Sequence, residues 1–186
     1  MNLDTIFNPH VNLALGRVGS AVLAACLAKR HNVTAFVRNP TKLPYELRSH
    51  PRLRVFQGDA TSQSSLVEAL WDQDAIIQAA VLCPASSYST GDNERVIRTI
   101  VAAIKEVQAV GRYGHPPFRL WVLSGQVMLD IPVLKGILQG NIIPIYPEHY
   151  RNYSFLQQDA GDVDWNMLCP GKISNGEVRV LLCECR

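Results

Sequence analysis

The sequence carries little net charge, no long apolar run and no leader-like start. A formal net charge of +2 over 186 residues is too small to indicate nucleic acid or an anionic membrane as a partner. No apolar run has the length of a membrane span. Residues 1–10 lack the basic start and apolar centre of a secretory signal. We therefore expect a cytoplasmic protein that binds neither nucleic acid nor membrane.

The cysteines indicate neither a disulfide framework nor a metal centre. There are five of them, an odd number at scattered positions, which is typical of reduced thiols in a cytosolic protein. Cys183 and Cys185 form a C-x-C at the very end, where we expect a frayed tail. No other cysteine or histidine pair has the spacing of metal ligands, so the sequence predicts no metal site.

What the sequence does contain is a globular composition arranged as alternating strands and helices. The hydrophobic content is 47% and the charged content 18%, as in ordinary globular proteins. The length fits a single domain over residues 1–186 with a sizeable core. Apolar runs predict strands at 11–15, 32–37, 52–57, 75–80, 120–123 and 164–169. Helical spacing predicts helices at 21–29, from Ser62 or Ser64 to Leu70, at 93–110 and, from a weaker pattern, at 148–159.

Strands that alternate with helices are typical of a parallel sheet, and the handedness of the connections makes it doubly wound. The sequence therefore predicts an α/β architecture with a doubly wound parallel sheet. Residues 39–44 are predicted to be a loop, and residues 178–182 form a β-like run. The apolar stretch 126–147 is too long for a plain connection, which indicates a substrate loop or short helices.

A glycine-bearing turn at 16–20 joins the first predicted strand to the first predicted helix. The amides of Gly16, Arg17, Val18 and Gly19 would converge where the helix dipole adds positive potential, and such a point suits a phosphate. The next strand ends at Arg38, where the ribose of a bound dinucleotide would lie. The alternative is a plain turn with two small residues, because a lone G-x-x-G is common.

Ligands of doubly wound sheets bind at the carboxyl ends of the strands. The sequence places several further candidates at that edge beside the glycine turn. They are Arg38, Asp59, Gln78, Ala79, Ala80, Val81, Ser124, Cys169 and Pro170.

The order of these signals resembles the atypical short-chain dehydrogenase/reductases of the NAD(P)-binding, NmrA-like kind. The matching pieces run over most of the chain, at 15–20, 33–40, 58–60, 74–79, 122–125, 148–152 and 164–171. The resemblance implies a Rossmann domain that binds NADP(H) and acts on a small substrate, often aromatic or apolar.

The resemblance also implies roles for individual residues. Arg38 stands where an acidic residue would select NAD, and its guanidinium can bind the 2′-phosphate of NADP in a bidentate way. Arg17 is a second candidate for this phosphate. The alternative for both side chains is a solvated surface arginine; the phosphate role is favoured for Arg38, and the two interpretations are balanced for Arg17. Ser124 matches the family's catalytic or substrate-contacting serine, and His149 matches a histidine near the substrate in flavin-reductase-like members. The alternatives are a serine that ends a strand and a surface or capping histidine.

The sequence departs from the family pattern at three points. Leu13 replaces a glycine that allows close backbone approach to the pyrophosphate. There is no Tyr-x-x-x-Lys pair, which excludes that proton donor but leaves direct hydride transfer with a proton from solvent. The chain ends soon after the sixth strand, so we expect a C-terminally shortened fold.

These observations predict an NADP(H)-dependent oxidoreductase that acts on a small, aromatic molecule, with Ser124 and His149 as its catalytic residues. Two alternatives remain open. One is a regulatory protein that senses NAD(P) without turnover, and the other is a degenerate remnant of the family, for which Leu13 and the short C-terminus argue.

Overall fold

A mostly parallel sheet forms the centre of the structure. The computed structural model describes residues 9–12, 17–79, 92–111, 117–125, 146–170 and 184–185. The strands of the described part are β1 (Pro9–Asn12), β2 (Val33–Val37), β3 (Leu53–Gln57), β4 (Ala75–Gln78), β5 (Arg119–Leu123), β6 (Asp164–Leu168) and β7 (Glu184–Cys185). They are ordered β3-β2-β1-β4-β5-β6-β7. Strands β1 to β6 pair in parallel, and β7 pairs antiparallel with β6.

The strand order confirms the doubly wound, Rossmann-like fold. The chain moves outward from β1 to β3, returns to the other side of β1 with β4, and then moves outward again to β6. The crossover between β1 and β4 is the point at which such sheets bind their ligands.

Helices cover both faces of this sheet. They are α1 (Arg17–Ala28), α2 (Tyr45–Arg48), α3 (Gln63–Leu70), α4 (Asp92–Val110) and α5 (Tyr146–Asp159), with a 3-10 turn at Pro40–Lys42. Among the described helices, none is long and apolar enough to cross a membrane.

Two apolar cores lie on opposite faces of the sheet. Leu23 and Leu27 of α1 pack with Ala35 of β2 in the smaller core. The larger core joins α3, α4 and α5 to the other face, for example through Leu66, Ile104 and Leu156, and each of these side chains is fully buried. All five residues of β2 are buried, as expected for a parallel strand covered on both faces.

The structure corrects the predicted start of the first helix. Residues 17–20 were predicted to be a turn, but α1 begins at Arg17. Gly19 is buried inside the first helical turn, so it allows close packing of the helix rather than a reversal of the chain. Strand β1 begins at Pro9, two residues before the predicted start. Residues 13–16, including Leu13 and Gly16, lie outside the described residues.

The predicted loop at 39–44 is also corrected. It contains the 3-10 turn Pro40–Lys42, in which the Asn39 side chain accepts a hydrogen bond from the Thr41 amide at 2.9 Å. Helix α2 follows at Tyr45–Arg48, where no element was predicted. Four residues are too few to show a helical period, so the pattern could not indicate this helix.

The expected frayed tail is wrong for Glu184 and Cys185. These two residues pair with Leu168 and Met167 as β7, because a short antiparallel strand satisfies the backbone groups at the open edge of β6. The strand-like run at 178–182, the loop at 84–91 and the stretch 126–145 lie outside the described residues, and α5 begins at Tyr146.

Candidate functional site

The first turn of α1 lies directly after β1, at the carboxyl edge of the sheet. Arg17 opens the helix, Val18 is half-buried and Gly19 is buried. Their amides belong to the helical turn whose N–H groups have no partner within the helix, and the helix dipole makes this end positive. The described backbone therefore fits a phosphate at this point. Gly16 and the Arg17 side chain lie outside the described set.

Arg38 and Asp59 lie at the ends of neighbouring strands, beside this helix. Arg38 follows β2 and Asp59 follows β3 by two residues, and both side chains are exposed. The turn after β3 approaches the core closely, since a Cβ on Gly58 would overlap the ring of Phe36. The Gly58 amide donates to the carbonyl of Val37 at 3.0 Å, which ties the two strand ends together.

The Asp59 carboxylate is held in its charged form. The amide of Thr61 donates to Oδ1 at 2.8 Å, and the Thr61 hydroxyl donates to the same oxygen at 2.8 Å. These two bonds, followed by the charges of Arg38 and Arg95, hold the pKa of Asp59 below its usual value. Two guanidinium groups and one carboxylate leave a net charge of +1 at this corner, which fits a phosphorylated ribose.

Ser124 and His149 form a buried hydrogen-bonded pair at the end of β5. Ser124 follows β5 and is 5% exposed, while His149 lies in the first turn of α5 and is 3% exposed. Their Oγ and Nδ1 atoms are 3.1 Å apart. The Ser124 amide donates to the carbonyl of Leu168 at 2.8 Å. The end of β6 therefore fixes the backbone from which the hydroxyl projects.

Burial keeps the imidazole of His149 uncharged. It lowers the pKa of His149 from 6.5 to about 4, because a charged ring would lose its hydration. Gly125 lies against the other side of the ring, where a Cβ would be 3.0 Å from Nε2. A side chain at position 125 would therefore require the imidazole to shift by a few tenths of an ångström.

A neutral imidazole can act on Ser124 in one useful way. With the proton on Nδ1, the ring donates to Oγ, and the serine hydroxyl is then free to donate to a substrate atom. The pair thus presents one directed hydrogen-bond donor at the carboxyl edge. The remaining predicted residue at this edge, Ala79, follows β4 and is buried, and Ala80 lies outside the described residues.

Several buried polar side chains near this pair were not singled out by the sequence as site residues. Asn93 is the second residue of α4, and Asn152 lies one turn after His149 on α5. Gln78 at the end of β4 donates from Nε2 to Oδ1 of Asn93 at 3.4 Å. Asn93 lies in the first turn of α4, where asparagine is usually interpreted as a cap.

No cluster of metal-ligating side chains occurs among the described residues. Cys169, which the sequence places at the same edge, is buried in the larger core.

Comparison with known proteins identifies the family. A family model described as NAD(P)H-binding matches residues 14–182. The chain belongs to this NAD(P)H-binding family. The match spans the helix start after β1, both nucleotide-edge residues and the Ser124–His149 pair. No curated protein matches the chain significantly.

Solved structures show that the fold is shared with short-chain dehydrogenases. The chain is 14% identical to a short-chain dehydrogenase/reductase of Veillonella parvula solved in complex with NADP, with a TM-score of 0.64, over 88% of this chain and 69% of that one. It is 17% identical to a Rossmann-fold NAD(P)-binding family protein of Shigella flexneri, with a TM-score of 0.63, over 93% and 71%.

A third similar structure is the enzyme WbmH of Bordetella bronchiseptica in complex with NAD+, at 16% identity and a TM-score of 0.64. The match covers 88% of this chain and 56% of that one. At these identities the similarity shows the NAD(P)-binding Rossmann fold, which the sequence had predicted.

Proposed function

We propose that the chain is an NADP(H)-dependent oxidoreductase that transfers a hydride to or from a small, aromatic substrate. The observation that carries this proposal is the buried hydrogen bond between Ser124 and His149 at the carboxyl end of β5. A serine hydroxyl is fixed there from two sides, by the imidazole and by the backbone tie to Leu168. If these two positions served only to make the fold rigid, two apolar side chains would suffice, because the burial of polar groups costs free energy.

The cofactor end of the site supports NADP over NAD. Arg38 offers an exposed guanidinium at the end of β2, and Arg95 adds a second positive charge near Asp59. A hydrogen bond to a charged group contributes about 1.5–3 kcal/mol, so one such contact to a 2′-phosphate favours NADP by about tenfold or more. The bound cofactor would supply or accept the hydride at its nicotinamide ring.

On the substrate side, Ser124 and His149 supply a hydrogen bond to the atom that gains negative charge during hydride transfer. When a substrate is reduced, negative charge develops on the atom that later takes up a proton. The Ser124 hydroxyl donates to that atom, and His149 orients it through Nδ1. Because the imidazole is uncharged at neutral pH, the proton itself comes from the serine–solvent network.

The substrate class follows from the resemblance of the sequence to biliverdin reductase B, a flavin reductase. Members of that kind reduce electron-poor rings without a Tyr-x-x-x-Lys pair, and this chain also lacks the pair. Flavins and quinones are therefore the first substrates to test.

The test is a titration with NADPH, followed by measurement of the loss of its near-ultraviolet absorbance with a panel of flavins and quinones. We expect binding and oxidation, and we expect Ser124→Ala to lower kcat by about ten- to a hundredfold with little change in NADPH affinity. Ser154→Ala, on the exposed side of α5, is the matched control. Binding without oxidation would instead favour a regulatory protein that senses NAD(P) without turnover. Absence of binding would favour a degenerate remnant of the family.

A further inference from the structure

One carboxylate joins two arginines where helices α4 and α5 begin. Glu94 is the third residue of α4, and its side chain is 21% exposed. Its Oε2 lies 3.2 Å from Nε of Arg151 on α5. Its Oε1 accepts a hydrogen bond at 2.9 Å from Nε of Arg98, one turn further along α4. Both carboxylate oxygens therefore contact a guanidinium group, and opposite charges strengthen each contact.

The two arginines make further contacts of their own. Cζ of Arg98 lies 4.1 Å from the centroid of the Phe155 ring on α5, in a cation–π contact. Arg151 also lies 3.8 Å from a carboxylate oxygen of Glu148, the buried residue that precedes His149. Because these charges form a network, they hold the two helices together more firmly than an isolated surface ion pair would.

This network lies at the end of α5 that carries His149. The helix begins at Tyr146, so His149 stands in the first turn, where the amides have no acceptors within the helix. Helix ends open more readily than helix centres unless contacts with other elements hold them. Arg151 is two residues after His149, and its contact with Glu94 joins this end of α5 to α4.

Another contact joins the same two helices at their far ends. Nζ of Lys105 donates to the carbonyl of Asp159, the last residue of α5, at 2.9 Å. Asp159 lies about 15 Å from His149 along the helix axis. The Lys105 contact therefore holds α5 without acting on its first turn, whereas the Glu94 contact acts within one turn of His149.

We propose that Glu94 is a positioning residue for the Ser124–His149 pair. By contacting Arg98 and Arg151 at once, it holds the first turn of α5 against α4. This keeps the imidazole at hydrogen-bonding distance from the Ser124 hydroxyl. Glu94 acts through α5 and not on the substrate. The proposal rests on the proposed function only for the catalytic role of the pair, because the geometry of the pair can be measured without any substrate.

The test follows amide hydrogen exchange and the His149 imidazole in the chain without nucleotide. Glu94→Ala removes the carboxylate that contacts both arginines. We expect the amides of residues 150–153 to exchange about two- to fivefold faster, as the loss of an ion pair at a helix end predicts. The pKa of His149, measured from its imidazole NMR resonances, should rise from about 4 towards 6.5, because a looser turn lets water reach the ring.

Lys105→Ala is the matched control, because it removes a contact between the same two helices at their far ends. It should speed exchange near Asp159 and leave both the exchange of residues 150–153 and the pKa of His149 unchanged. The double variant Glu94→Ala/Arg151→Ala should behave much as Glu94→Ala does, since the two side chains act through one contact.

An imidazole pKa in Glu94→Ala equal to that of the wild-type chain overturns the proposal, even where exchange is faster. Equal effects of Glu94→Ala and Lys105→Ala also overturn it, since the carboxylate would then only stabilise the packing of the helices. A raised imidazole pKa in a chain that oxidises no NADPH supports the positioning role and overturns the oxidoreductase. The two proposals therefore fail separately.

Discussion

His149 shows what burial does to a single titratable residue. Its ring is 3% exposed and its neighbour is a neutral hydroxyl. Burial deprives the ring of the hydration that it would need in its charged form, so its pKa falls to about 4. The residue therefore works as an uncharged hydrogen-bonding group across the physiological range, and a second proton, on Nε2, would place a charge inside the protein without its hydration.

This lowered pKa predicts a specific loss of stability in acid. The unfolded chain takes up a proton on His149 as the pH falls through about 6.5, whereas the folded chain does so only near 4. Because the unfolded state binds more protons in this window, the free energy of unfolding decreases as the pH is lowered, by about 2 kcal/mol between pH 7 and pH 5. Urea unfolding at both pH values should show this loss, and His149→Gln should lack it. Equal losses in the two proteins would contradict the assignment.

Arg38 makes a prediction about cofactor choice. Arg38→Ala removes the guanidinium at the end of β2, so the affinity for NADPH should fall by about tenfold or more while the affinity for NADH changes little. Isothermal titration with both nucleotides measures the ratio. Lys29→Ala is the control, because it removes one positive charge from the exposed opposite end of α1. An unchanged ratio in Arg38→Ala would remove Arg38 from the cofactor site.

Among the helices and strands, α1 has an unusual end. Arg30 adopts a positive φ of 63°, its amide donates to the carbonyl of Leu27 and the amide of His31 donates to the carbonyl of Cys26. This pair of bonds is the Schellman motif, in which glycine is the usual residue at the left-handed position. Any other residue there is strained by about 1–2 kcal/mol.

Arg30→Gly should therefore stabilise the protein. We expect a gain of about 1 kcal/mol in the free energy of unfolding, measured by chemical denaturation. Lys29→Gly tests the interpretation, because Lys29 precedes the left-handed position and glycine there should weaken the helix by about 0.5–1 kcal/mol. If both variants shift stability in the same direction, the motif does not determine the effect.

The sequence predicted elements well where hydrophobic periodicity is strong. Strands β2 and β3 and helix α4 each begin one residue from the predicted start. Long or fully buried apolar runs allow few alternative positions for the ends of a strand or helix. The sequence did not predict that α1 begins at Arg17, and it did not predict α2. Glycine and serine at 16–20 suggested a turn, although small residues also fit the first turn of a helix that packs closely.

Sequence analysis could name candidate site residues one by one, but it could not predict their geometry. Ser124 and His149 were both identified, yet their contact joins positions 25 residues apart and depends on the order of β5 and β6 in the sheet. Asn93 and Asn152 were missed as site residues because asparagine is common at caps and surfaces. Only the fold shows that both are buried.

On the scale of the whole molecule, the carboxyl edge of the sheet divides into two halves. The end near β2 and β3 carries Arg38 and Asp59, and the end near β5 and β6 carries Ser124. The β1–β4 crossover lies between them, so a dinucleotide that spans the edge contacts both halves.

A ligand that contacts both halves should stabilise the entire fold. At a concentration of NADPH one hundred times its dissociation constant, linkage gives about 2.7 kcal/mol, or a rise of about 5 to 10 °C in the thermal midpoint for a chain of this size. Differential scanning fluorimetry measures the shift, with adenosine as the control ligand that lacks the phosphates. Absence of a shift at saturating NADPH would argue against the dinucleotide site.

The hydrogen bond between the Ser124 amide and the Leu168 carbonyl has a consequence for folding during translation. A chain emerging from the ribosome exposes Arg38 and Asp59 early, but the serine lacks its anchor until Leu168 has been added. Translation of that interval takes on the order of ten seconds. During this time Arg38 and Asp59 are already present, whereas the end of β5 still lacks the backbone hydrogen bond that fixes Ser124.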